Sequence, residues 1–86
     1  MKTIYKYNLA PLQTTVLNMP QGSNVVAFDI QGDSFCIWAI VNTDNPIVER
    51  TFTIVGTGWE LKGNECYIGM VQQNGFVWHC LELKGA

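Results

Sequence analysis

Apolar and polar residues alternate with a period of two along most of the chain. Nowhere do they recur at the i, i+3, i+4, i+7 spacing of an amphipathic helix. Successive side chains of a strand point to opposite faces, so the pattern predicts an all-β domain. Seven strands are expected, at about residues 2–8, 13–19, 24–31, 34–42, 46–56, 66–73 and 76–83. Turn-forming residues separate them at Pro20-Gln21-Gly22, Gly32-Asp33-Ser34, Asp44-Asn45-Pro46 and Asn74-Gly75. The last is the strongest signal, because both central positions of a type I′ hairpin need positive φ. Links this short favour pairing between sequence neighbours, which predicts an antiparallel meander, closed as a small barrel or folded as a two-layer sandwich. The connection from Trp59 to Glu65 is too short for a crossover helix and is expected to be an exposed loop.

The alternation also assigns faces. In the fifth strand Arg50, Phe52 and Ile54 form an inner set, with Thr51, Thr53 and Val55 opposite. The fourth strand is apolar on both sides, with Phe35, Ile37, Ala39 and Val41 against Cys36, Trp38 and Ile40. The last strand is similar, with Phe76, Trp78 and Cys80 on one side and Val77, His79, Leu81 and Leu83 on the other. Such strands are buried on both faces or border a partner subunit.

Composition sharpens that picture. The 86 residues suit a single domain spanning 1–86, with 48 % apolar residues but only 14 % charged ones. So short a chain cannot hide that much apolar surface alone, and a homo-oligomer, most simply a two-fold dimer, is expected. Net charge is −2, and the cations Lys2, Lys6, Arg50, Lys62 and Lys84 are scattered, which argues against duplex nucleic acid as a partner. Three cysteines without close pairing argue against a disulfide framework and for a reducing compartment. No signal-peptide core or membrane-spanning run is visible, so no membrane association is expected.

Candidate chemistry concentrates where the fifth strand empties into Gly56-Thr57-Gly58-Trp59. Bare backbone N–H groups beside an indole can hold an anion and a flat ring together. The predicted ligand site comprises Arg50, Gly56, Thr57, Gly58, Trp59 and Tyr5. Arg50 is the sole guanidinium, read either as a bidentate phosphate clamp or as a surface ion pair with Glu49 or a cross-strand acid. Two glycines at a strand end more often mark a bulge or tight bend. Trp38 and Trp78, set among apolar neighbours, read as core. His79 with Cys80, Cys36 and Cys66 lacks zinc-ligand spacing, and adjacent strand residues face opposite ways, which also defeats a Cys–His nucleophile. No cofactor, metal or enzymatic constellation is expected.

The series Ile4-Tyr5-Lys6-Tyr7, Met19-Pro20-Gln21-Gly22, Trp38-Ala39, Arg50-Thr51-Phe52, Gly56-Thr57-Gly58, Tyr67-Ile68-Gly69 and Val77-Trp78-His79 spans nearly the whole chain. It resembles a widespread group of small phage and prophage β-proteins catalogued as a domain of unknown function. The resemblance extends to viral sponge proteins, which counter cyclic-oligonucleotide immunity (CBASS) by sequestering its messenger. It implies an anti-defence protein in the host-cell cytoplasm that binds a cyclic dinucleotide without cleaving it. Two other expectations compete with this one: direct inhibition of a host defence protein, of the anti-CRISPR or anti-restriction kind, and a minor virion component.

Overall fold

The computed structural model describes residues 1–84. Seven strands follow one another without a helix: β1 (Lys2–Leu9), β2 (Thr14–Pro20), β3 (Asn24–Gln31), β4 (Ser34–Asn42), β5 (Ile47–Gly56), β6 (Glu65–Gln73) and β7 (Phe76–Leu83). The strand limits agree with the alternation to within a residue at each end. All pairings are antiparallel, in a three-stranded sheet ordered β1-β4-β3 and a four-stranded sheet ordered β2-β5-β7-β6. The sheets pack face to face without closing on each other. The architecture is therefore a sandwich, not a barrel.

The expected meander is corrected. Only β3–β4 and β6–β7 are hairpins between sequence neighbours; β1, β2 and β5 each find a partner further along the chain. The two hairpins are those with two-residue turns. Gly32 has φ 61°, and Asn74 and Gly75 have φ 54° and 82°, the positive values that match the twist of the flanking strands. At the Pro20-to-Ser23 turn the Ser23 amide donates to the Pro20 carbonyl, and this turn carries the chain to the other sheet instead.

Alternation places Phe35, Ile37, Ala39 and Val41 of β4 against Phe52 and Ile54 of β5, Met19 of β2 and Cys80 of β7. Phe52, Met19 and Ile37 are fully enclosed. Each such side chain contributes about 1.5–3 kcal/mol through removal from water. Two bulges reset the alternation. One at Val26 lets both Val25 and Phe28 face the core, and one at Ile68 does the same for Ile68 and Val71. The second bulge also leaves Tyr67 and Met70 together on the outer face of the four-stranded sheet.

The doubly apolar strand β4 is the centre of its sheet. Its outer side is partly covered from within, because Lys6 Nζ reaches across it to Gln31 Oε1 at 2.7 Å and Cys36 Sγ lies 3.2 Å from Asn8 Oδ1. Ile40 and its cross-strand partner Ile4 stay exposed.

Candidate functional site

β5 and β6 both pair antiparallel to β7, so they run parallel to each other. The connection between them must therefore travel back along the sheet. It begins at Gly56, beside Trp78, and ends at Glu65, beside Leu83. This is the loop expected between Trp59 and Glu65, and the topology makes it a crossover over the outer face of β7. It is fastened by the Glu65 carboxylate, which accepts the Lys62 amide at 2.9 Å and the Gly63 amide at 2.8 Å. These backbone donors hold the Glu65 carboxyl below its usual range.

Between the loop and the sheet lies a recess of about 240 Å³, lined by Trp59 and Leu61 from above and by Val55, Tyr67, His79 and Leu81 from below. Its polar edge is a hydrogen-bonded chain. Thr57 Oγ1 lies 2.7 Å from His79 Nε2, and Tyr67 Oη lies 2.8 Å from His79 Nδ1. The ring nitrogens have unlike roles in a neutral imidazole, so one hydroxyl donates to the ring while the other accepts from it. Sheet pairing assembles the chain: Val55 is opposite His79, and Tyr67 is opposite Leu81. The arrangement superficially matches a nucleophile, base and orienting group. It differs from a triad in having a phenol where a carboxylate would hold an imidazolium.

Trp59 closes one end of the recess. Its amide donates to the Gly56 carbonyl at 3.2 Å, and Gly58, at φ 90°, makes the turn possible. The indole folds back over Gly56 and meets Trp78 edge to face, with centroids 5.9 Å apart at 81°. A Cβ on Gly56 would sit 2.9 Å from the indole Cε2 and Nε1, so glycine is needed for that approach. Trp59 remains 49 % exposed. The glycines thus turn a corner, as one reading of the Gly-Thr-Gly stretch has it, and the indole is held at the surface beside them.

The predicted site residues separate into two groups. Gly56, Thr57, Gly58 and Trp59 meet at the recess. Arg50 and Tyr5 do not join them. Arg50 lies at the other end of β5, where Nε and Nη2 donate to the two Glu82 oxygens at 2.7 Å each and Nη1 donates to the Ser23 carbonyl. It is the cross-strand ion pair, not a free clamp. The bond to Glu82 raises the guanidinium pKa further, against the burial that opposes it. Tyr5 sits on β1 of the opposite sheet, edge-on to Tyr7 with centroids 6.3 Å apart. The amide cradle is reduced as well, because the Thr57 amide donates to the Val77 carbonyl and the Trp59 amide to Gly56. Among the described residues, none of the backbone hydrogen bonds of this turn is donated by the Gly58 amide.

Sequence reasoning missed His79, Tyr67 and Leu61 as site residues. The sequence reading sets His79 only against the three cysteines, of which its neighbour Cys80 faces the core while His79 faces the recess. The available signal was a histidine on the polar-accessible side of an otherwise apolar strand. Trp78, expected in the core, is only partly buried and packs on Phe35 at 6.4 Å. Among the described residues no cluster of His, Cys, Asp or Glu could hold a metal ion, and no helix is long and apolar enough to cross a membrane.

A family model described as a domain of unknown function, DUF7352, matches residues 1–86. The chain belongs to the DUF7352 family. No curated protein and no solved structure matches it. The recess and its Thr57–His79–Tyr67 chain are accordingly a site described for a DUF7352 member from its own geometry.

Proposed function

We propose that this protein is a non-catalytic binding protein whose recess beside Trp59 captures a base of a small nucleotide, a cyclic dinucleotide being the ligand class. Sequestration of such a messenger, as a phage anti-defence sponge in the host cytoplasm, is the biological role this reading implies. The observation that carries it is the half-exposed Trp59 indole held over a preformed recess whose edge carries two hydroxyls positioned on the His79 imidazole. Flat heterocycles need both a stacking surface and edge-on hydrogen bonds, and the recess has one of each.

The magnitudes are compatible with tight binding. A nanomolar sponge needs roughly −12 kcal/mol. Stacking supplies about 1–3 kcal/mol per base and each neutral hydrogen bond about 0.5–1.5. One base in one recess therefore falls well short, and a ligand with two bases, or two copies of the protein, is required. Exposed Tyr67 and Met70 beside the recess make a homo-oligomer part of this proposal. With Arg50 committed to Glu82, the phosphates would meet the Gly58 amide and solvent, not a guanidinium.

Calorimetric titration with a panel of cyclic dinucleotides and trinucleotides tests the reading, with chromatography of the ligand afterwards. Binding with intact ligand is expected. Absence of heat with every member refutes it, and a consumed ligand refutes its non-catalytic part.

A further inference from the structure

A second recess lies on the other side of the Gly56–Trp59 turn. It holds about 390 Å³ and is lined by Gly56, Thr57 and Trp59, shared with the first, and by Phe76, Val77 and Trp78. Its aromatic rings form a corner. Phe76 and Trp78 are tilted by 31° with centroids 5.7 Å apart, while Trp59 stands at 81° to Trp78. Phe76 is 62 % exposed, the highest value for any aromatic side chain in the described residues. It follows the Asn74-Gly75 hairpin turn, whose positive φ values fix where the strand begins. No protein contact of a core kind accounts for a large apolar ring held there.

We infer that this corner is a second base-binding subsite, and that the ligand straddles Trp59 with one ring in each recess. The inference rests on the binding reading above and adds the ligand's shape: two flat rings joined by a linker short enough to pass over Gly56–Gly58. The two recesses share three residues, so their occupants lie a single side chain apart, a separation that the linker of a dinucleotide can bridge. Their combined space falls within the roughly 300–1,000 Å³ of ordinary small-molecule sites. The subsites differ in chemistry. The first offers the Thr57 and Tyr67 hydroxyls, both held on the His79 ring, to a base edge, whereas the second offers aromatic surface alone and so stacks any base.

Phe76→Ala separates the subsites, and its high exposure means that the fold tolerates the change. The expected result is a loss of cyclic-dinucleotide affinity of about five-fold or more. Phe76→Tyr should restore it, and binding of AMP or GMP, followed by NMR shifts of the Trp indole N–H signals, should fall less than dinucleotide binding, because the first recess still holds a base. His79→Gln should weaken mononucleotide and dinucleotide alike. If wild-type protein binds dinucleotides and Phe76→Ala binds them equally well, the second subsite is refuted while the first stands. An equal loss of mononucleotide and dinucleotide binding in Phe76→Ala also overturns it. If no nucleotide binds wild-type protein, both readings fall together.

Discussion

Replacing Gly56 by alanine puts a methyl group where the Trp59 indole now lies, 2.9 Å from two of its atoms. Gly56 does not have a positive φ, so the backbone itself accepts alanine without strain. The cost must come from the ring. About half of an indole's ~250 Å² is covered here, so full expulsion forfeits roughly 3 kcal/mol at 25 cal/mol per Å². Losing the edge-to-face contact with Trp78 adds about 0.5–1.5 kcal/mol. Against this, alanine restricts the unfolded chain and returns about 0.4–1 kcal/mol. A loop-borne ring can slide and keep part of its cover, so the expected net destabilisation is roughly 1–3 kcal/mol. The discriminating measurement is a double-mutant cycle by urea denaturation. Once Trp59 is alanine, the clash is gone, and the 3.3 Å approach to Trp78 Cζ3 can relax into the vacated space. Gly56→Ala should then be neutral or stabilising by up to about 1 kcal/mol, a reversal of sign. Equal destabilisation in both backgrounds would show that the indole does not rest on Gly56 and would refute the account of the recess.

Three other outcomes are expected. Arg50→Gln should cost about 1.5–3 kcal/mol in chemical denaturation, because it strips charged hydrogen bonds from a largely enclosed Glu82, yet leave ligand affinity unchanged. Glu65 has a folded pKa lowered by the Lys62 and Gly63 amides, so its stabilisation of the crossover loop is present above the ordinary value of 4.5 and is lost as pH falls through the lower folded value. NMR titration from pH 6 downward should show the Lys62 and Gly63 amides moving with Glu65 at a midpoint below 4.5, and a midpoint at or above it would contradict the loop anchor. Burial pushes the Cys80 thiol up to about 12, and Cys36 is equally enclosed, so iodoacetamide at pH 8 should label native protein at Cys66 first. Rapid labelling of Cys80 in native protein would disprove its placement in the core.

Much of this fold is legible in the chain. Strand positions and inner faces follow from a period-two pattern, which depends only on neighbouring residues and needs no knowledge of partners. The Asn74-Gly75 hairpin is likewise local, since its positive φ values are a property of those two residues. The site was half legible. Gly56, Thr57, Gly58 and Trp59 are contiguous, so their meeting requires only a turn. Arg50 was misassigned because a lone cation in a strand looks the same whether it waits for a phosphate or holds Glu82, thirty-two residues away.

From its sequence alone this protein is a seven-stranded antiparallel domain with an aromatic turn after its fifth strand. Which strands pair was decided only in three dimensions. Two inner faces must be buried at once, and that global requirement, not the length of the links, sends β1 to β4, β2 to β5 and β5 to β7. Those distant pairings bring Thr57 to His79, set Tyr67 on its other nitrogen and draw Arg50 away to Glu82. A hydrogen bond across a sheet depends on register between remote segments, and no local pattern of residues carries that information.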